Sequence, residues 1–202
     1  MRLHFQRYSP YVRKVRVVAL EHGLEGRIEL VPTNTWNLPA ALLDDNPLGK
    51  VPTLVTDDGL VLYDSPVIAE YLDALGAGAR LFPSVGRARW LALRQQAMGD
   101  GIMDAAIERF LERMRPEERR MDDWSARYKA GIDRTLDVLE RAAHELERPL
   151  TIGPIAIACA LGYLDLRFAA DGWRTGRPEL ARWLDRFALR PSMRVTGVAD
   201  GG

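Results

Sequence analysis

The chain has 202 residues and carries 28 Lys plus Arg against 28 Asp plus Glu, a balance that offers no electrostatic basis for binding nucleic acid or an anionic membrane. Its single cysteine excludes an intramolecular disulfide framework and fits a reducing compartment. The length suffices for one large domain or two small ones with ample core, and the start, Met1-Arg2-Leu3-His4-Phe5-Gln6, has no signal-peptide apolar region. No apolar run approaches a membrane span, so the expectation is a soluble, cytoplasmic chain.

Taken in order, Leu3-His4-Phe5 reads as a short first strand. Tyr8-Ser9-Pro10 breaks it, and Tyr11 to Gly23 carries helical spacing through Val12, Val15, Val18 and Ala19, with Gly23 as the stop. Arg13, Lys14 and Arg16 are expected on the solvated face of that helix. Ile28 to Val31 alternates as a second strand, and a short helical piece follows at Ala40 to Leu43. Asn46-Pro47-Leu48-Gly49-Lys50-Val51-Pro52 then leads into Thr53-Leu54-Val55, a turn at Asp57-Asp58-Gly59, and Leu60-Val61-Leu62. Pro52 cannot donate to a sheet ladder and so belongs at a strand start or edge, while Asp58-Gly59 between two apolar runs signals a hairpin. Asp64-Ser65-Pro66 opens a periodic segment (Val67, Ile68, Tyr71, Leu72, Leu75), with Ser65 predicted as N-cap and Pro66 as the first helical residue. The resulting β-α-β-α-β-β-α order over 1–75 predicts a thioredoxin-like α/β domain with a mixed sheet covered by helices. A bend, a hairpin and a capped helix start place backbone N–H groups at a cleft edge, which suits a ligand carrying peptide bonds and a carboxylate.

Asn-Pro-x-Gly-Lys-Val-Pro, a hairpin, and then Asp-Ser-x-x-Ile-x-x-Tyr-Leu resembles the glutathione-binding half of the cytosolic glutathione transferases, in detail over residues 1 to about 75 and in outline beyond. The resemblance implies that Pro52 is a cis-proline and that the backbone of Val51 pairs with the cysteinyl part of glutathione. It also implies that Asp64 and Ser65 hold the γ-glutamyl end, and it counts Lys50 of the motif with the glutathione-binding set. Elementary chemistry agrees, since a carboxylate suits an ammonium, and a hydroxyl with helix N-terminal N–H groups suits a carboxylate.

Ser9-Pro10-Tyr11-Val12 occupies the place of the Cys-Pro-Tyr-Cys motif of similar glutaredoxins, at the N-terminus of the first helix. A Ser hydroxyl there is either a helix cap or a donor to a ligand's thiolate, whose pKa it would lower. The resemblance to transferases of the bacterial, Ser-type kind favours the donor and makes Ser9 the catalytic candidate. Tyr8 is the competing donor and, with Tyr11, is otherwise expected to line the pocket. Neither Ser9 nor Val12 can form a disulfide, so dithiol redox cycling through these positions is excluded. Cys159, in an apolar run, is expected to be buried.

Gly76 to Ser84 is a Gly-rich linker closed by Pro, and everything beyond it, 85–202, is expected to form an all-α helical bundle. Trp90/Leu91, Arg94, Met98, Ile102, Ala105/Ala106, Phe110 and Met114 mark one long helix; Trp124 through Leu146 marks a second. Thr151 is expected to cap a third, Ile155 to Phe168, apolar nearly all round and therefore central, although Pro154 removes the reciprocal bond of a capping box. Pro178 to Leu189 supplies a shorter amphipathic helix.

Asp100-Gly101 reads either as a surface Asp on a helix or, by the resemblance, as an Asp that reaches across a homodimer to the γ-glutamyl amine. Ile68, Leu72, Leu91 and Leu93 are expected as surplus apolar surface for that dimer. The three histidines are scattered, so no metal site is implied. The expected function is that of a glutathione transferase-like enzyme that directs the thiolate at a small electrophile, with Met103, Ile107, Phe110 and Trp124 as candidate pocket residues. The other reading is a non-catalytic binding or regulatory protein of the same fold. No nucleic-acid or membrane partner is expected.

Overall fold

Proline and glycine punctuation sets the element boundaries in the computed structural model, which describes residues 1–147 and 149–197. In chain order these are β1 (Arg2–Phe5), α1 (Pro10–Glu21), β2 (Glu29–Pro32), α2 (Ala40–Asp45), β3 (Thr53–Val55), β4 (Val61–Leu62), α3 (Ser65–Leu75), α4 (Gly86–Met114), α5 (Asp122–Arg141), α6 (Ile152–Phe168), α7 (Pro178–Phe187) and α8 (Pro191–Val195). They fall into two compact units: Met1–Ser84 together with residues 190–197, and Val85–Leu189. The end of the expected 85–202 region lies outside the described residues from 198 on.

In the first unit the sheet order is β2-β1-β3-β4, with β1 parallel to β2 and antiparallel to β3, and β3 antiparallel to β4. This is the predicted mixed thioredoxin-like arrangement. Side chains alternate across the sheet, so Leu3 and His4 point to opposite faces, and both are buried. On one face Leu3 and Leu54 pair in register and join the core to which α1 contributes Val12, Val15 and Val18 and α3 contributes Ile68, Ala69 and Leu72. On the other, His4 bonds Asp45 at the end of α2 through Nε2 (2.8 Å) and Thr33 through Nδ1 (3.0 Å). Gly23, at φ +66°, ends α1 with Leu24 N–H returning to the Ala19 carbonyl at 2.8 Å, the αL stop predicted from the glycine.

The linker is less free than its composition suggests. The buried Asp73 carboxylate accepts from the Leu81 and Phe82 N–H groups (2.7 and 3.2 Å) and from His22 Nε2 (2.9 Å), so this stretch is pinned to α1 and α3.

In the second unit α6 is buried nearly all round, as its composition requires. Its approach to α4 needs glycine: a Cβ on Gly99 would lie 2.6 Å from the Ala156 carbonyl carbon. Cys159 is fully buried. The Glu140 carboxylate on α5 accepts from the Glu179 and Leu180 N–H groups (3.1 and 2.8 Å), satisfying the orphan donors at the start of α7.

Several expectations are corrected. Asp64, not Ser65, holds the N-cap position of α3, because its carbonyl already accepts the Ile68 N–H at 3.0 Å and Ser65 is the first helical residue. Thr151 sits at the N-cap of α6 without a side-chain cap bond. The second long helix stops at Arg141, and Ala143–Leu146 form a separate 3-10 turn. Lys14 is fully buried and so is not on a solvated face, whereas Trp90 is 68% exposed despite its place in the apolar repeat. Ile68 and Leu72 are fully buried within their own chain, so they offer no surplus surface for a dimer. Residues 190–197, expected with the helical bundle, pack instead with the α/β unit.

Candidate functional site

Strand pairing brings three of the predicted segments to one end of the sheet. β1 ends at Phe5 and feeds the turn that starts α1 at Ser9–Pro10. β3 runs antiparallel to β1 with Thr53 opposite His4, so Val51–Pro52, just before β3, lies at that same end. β4 runs antiparallel to β3 with Leu62 opposite Leu54, and the chain leaves β4 at that end to reach Asp64 and Ser65. Segments far apart in sequence thereby share one edge of the α/β unit.

Ser9 is partly exposed, with extended backbone (φ −73°, ψ 120°), at the N-cap of α1. Its hydroxyl oxygen accepts the Val12 N–H at 3.3 Å, and its carbonyl accepts the Arg13 N–H at 3.0 Å. A hydroxyl accepts through its lone pairs and donates through its own hydrogen, so the capping bond does not use the donor that a thiolate would require. Capping and donation, alternatives in the sequence, are compatible in this geometry. The preceding turn is fixed by Ser9 N–H to the Gln6 carbonyl (3.1 Å) and Tyr8 N–H to Gln6 Oε1 (3.1 Å). Tyr8 and Tyr11 flank Ser9 and are both partly exposed.

The Val51–Pro52 bond is cis. Pro52 is buried, Val51 partly exposed and Lys50 exposed. Asn46, itself buried, organises this loop, a role that sequence reasoning missed. Its amide donates to the Lys50 carbonyl (3.1 Å) and the Thr53 hydroxyl (2.9 Å), its Oδ1 accepts the Leu48 N–H (3.0 Å), and Thr53 Oγ1 donates to the same Lys50 carbonyl at 2.8 Å. The Asn-Pro pair just after a short helix was the available signal, because Asn side chains close turns of this kind. Asp64 is exposed and Ser65 buried at the first turn of α3, whose leading N–H groups lack intrahelical acceptors.

The candidates from the second unit lie along one side of α4 at three- and four-residue steps: Asp100, Met103, Ile107 and Phe110. Met103 is fully buried, while Asp100, Ile107 and Phe110 are partly exposed. The Arg167 guanidinium stacks 4.7 Å from the Phe110 ring centroid and is hydrogen-bonded to Tyr163. Burial raises the Tyr163 hydroxyl's pKa, with the Arg167 charge acting against it. Trp124 is exposed in the first turn of α5, 6.1 Å from the Tyr128 ring. A surface hollow lined by Gly86, Arg87, Trp90, Leu91 and Arg94 contains none of the expected site residues.

The N-capping Ser9 ahead of Pro10, the Val51–Pro52 loop and the Asp64–Ser65 helix start thus share one end of the sheet. Comparison with known proteins shows the family. Residues 8–75 match the family model of the glutathione S-transferase N-terminal domain, and residues 122–186 that of the C-terminal domain. The chain is 35% identical over 191 residues to the GST-like protein YibF of Escherichia coli, covering 93% of this chain and 94% of that protein. A glutathione transferase family member from Pseudomonas fluorescens Pf-5, solved with bound glutathione, superposes with a TM-score of 0.93 at 43% identity, covering 97% and 98% of the two chains. One from Methylobacillus flagellatus KT, also with glutathione bound, gives 0.88 at 34% identity, with coverage of 97% and 98%. The chain belongs to the glutathione S-transferase family and is a glutathione transferase-like enzyme.

Proposed function

We propose that this protein binds glutathione along Val51–Pro52 and at the Asp64–Ser65 corner, and that Ser9 stabilises its thiolate for attack on a small electrophile. The observation that carries this reading is the Ser9 hydroxyl at the N-terminus of α1, bonded to Val12 N–H as acceptor and so still a donor. In the proposed complex the Val51 backbone pairs with the cysteinyl unit, Asp64 faces the γ-glutamyl ammonium, and Ser65 with the first N–H groups of α3 receives its carboxylate. Lys50 lies beside this track.

A glutathione thiol of pKa about 8.5 is only a few per cent thiolate at pH 7, and a drop of about two units makes it mostly thiolate. Ser9 donates to the anion, and the dipole of α1 acts in the same direction. The thiolate's electron pair then forms a sulfur–carbon bond. In a substitution the leaving group departs with its bonding pair; in an addition the neighbouring carbon takes up a proton. Ile107, Phe110, Tyr8, Tyr11 and Trp124 are proposed to contact the electrophile; Met103, expected among them, is fully buried and is not proposed to do so. Asp100 is proposed to reach the γ-glutamyl amine of a partner subunit in a two-fold dimer, the commonest soluble assembly, acting in the cytoplasm.

Retention on immobilised glutathione followed by a conjugation assay against a panel of electrophiles tests the reading. Calorimetry of Ser65→Ala should show glutathione affinity weaker by roughly 1–3 kcal/mol, the cost of an unmade hydrogen bond to a charged group. Unchanged affinity in both Ser65→Ala and Asp64→Ala would reject the placement.

A further inference from the structure

Helix α8 lies against α1 and is fastened to it at both ends. Near the C-terminal end of α1, the Glu21 carboxylate accepts two bonds from the Arg190 guanidinium (3.0 and 2.7 Å) and one from the Ser192 hydroxyl. Near the N-terminal end, Arg13 Nη2 donates to the Met193 carbonyl (3.2 Å) in the last turn of α8, and its Nε points at Thr196 Oγ1 (3.5 Å). Thr196 in turn donates to the Ser192 carbonyl at 2.8 Å, closing the end of the short helix. Ser192, Met193 and Thr196 are all buried, so α8 is seated on the unit and does not hang from it. A five-residue helix is too short to be stable by itself in water, so these bonds to α1 and this burial are what hold it.

The anchored residue at the N-terminal end is the one whose backbone N–H closes the first turn onto the Ser9 carbonyl. Side chain and backbone of Arg13 thus connect the Met193 carbonyl of α8 directly to Ser9, the N-cap of α1. The Glu21 end lies 12 residues from Ser9, about 18 Å along the helix axis at 1.5 Å per residue. That exceeds the screening length of about 8 Å at physiological salt, so any influence of the Glu21–Arg190 pair on Ser9 has to be mechanical.

We propose that α8 is a strap that sets the position of α1, and that Arg13 and Arg190 are positioning residues for the Ser9 hydroxyl. This rests on the reading of Ser9 as the thiolate donor. A misplacement of about an ångström can cost on the order of a hundredfold in rate, and a strap that holds the helix start removes part of that loss.

The test uses the full chain with Arg13→Ala, Arg13→Lys, Arg190→Ala and the double Arg13→Ala/Arg190→Ala, each checked for native circular dichroism. Bound glutathione is titrated by thiolate absorbance, and kcat and the KM for glutathione are measured with one electrophile that the wild type turns over. The strap predicts that both single alanine variants raise the thiolate midpoint by about half a pH unit and lower kcat about three- to tenfold. KM for glutathione should stay within about twofold, because the Val51 and Asp64–Ser65 contacts are untouched. The double variant should lose little more than the worse single one, since both changes release the same element. If only Arg13→Ala moves the midpoint, with Arg190→Ala matching the wild type, Arg13 acts by its charge and the strap is wrong. If every variant merely melts earlier with an unchanged midpoint, α8 is structural and the inference fails. Should an alanine variant not fold, Arg13→Lys and Arg190→Lys, which keep the charge and lose the fork, carry the same comparison. A wild type with no lowered thiolate midpoint would instead overturn the reading of Ser9 itself.

Discussion

The Asn46 amide donates to the Thr53 hydroxyl at 2.9 Å, tying the end of α2 to the start of β3 across the cis-proline loop. The same amide and the same hydroxyl both reach the Lys50 carbonyl, so the residue before Val51 is held from two sides. Asn46→Ala should cost about 1–3 kcal/mol, because it leaves buried polar partners unpaired, and it should weaken glutathione binding with little change in the thiolate's pKa. Asn46→Asp, nearly isosteric, should be worse, because an acceptor would then face the Lys50 carbonyl. Urea denaturation and calorimetry on the two variants check the order.

Ser9→Ala separates capping from donation. If the hydroxyl donates to the thiolate, the variant should bind glutathione almost normally, show a raised thiolate midpoint and turn over slowly at neutral pH. It should partly recover at high pH, where solvent removes the proton unaided. A capping role alone predicts a stability loss of about 0.5–2 kcal/mol with superimposable titration curves, which would hand the donor's place to Tyr8 or to the dipole of α1.

Stability should also report on Glu21. Burial pushes its carboxyl up, but the Arg190 and Ser192 hydrogen bonds and the Arg190 charge outweigh this and hold it below its ordinary value of 4.5. A carboxyl lowered in the folded state contributes stability that is complete above the unfolded value and is lost as pH falls through the folded one. Glu21→Gln should therefore be less stable at neutral pH by about 1 kcal/mol, the modest size reflecting an Arg190 side chain that is 37% exposed. The gap should narrow as pH falls below 4.5 and close once it passes the lowered folded value. Thermal melts across that range would show it, and a constant gap at all pH would refute the assignment.

Two glycines two residues apart on α4 should respond in opposite directions. Gly99→Ala drives a methyl to within 2.6 Å of α6 backbone and should destabilise by about 1–3 kcal/mol. Gly101 is exposed with nothing near its missing Cβ, so Gly101→Ala should stabilise by about 0.5–1 kcal/mol through helix propensity. Denaturant midpoints of the two variants decide whether the α4–α6 approach is as close as described.

Local chemistry alone determined the strand, turn and helix order of the α/β unit, because Pro10, Gly23, Pro52, Gly59 and Pro66 act on their own backbone and immediate neighbours. It also determined that α6 is central, since a segment apolar on all sides has nowhere else to go. The same signals placed Ser9, Val51–Pro52 and Asp64–Ser65 at the starts of elements, and the family resemblance supplied their proposed roles. Tertiary structure decided what depends on partners far along the chain. Lys14 is buried although its charge suits a surface, Trp90 is exposed although its spacing suits a core, and Ile68 and Leu72 are spent on the chain's own interior. Asn46 becomes an organiser only when Thr53 folds beside it, and α8 joins α1 through contacts such as that of Arg190 with Glu21, 169 positions apart. No periodicity could have shown that pairing, because an ion pair between distant segments leaves no trace in the local pattern of either.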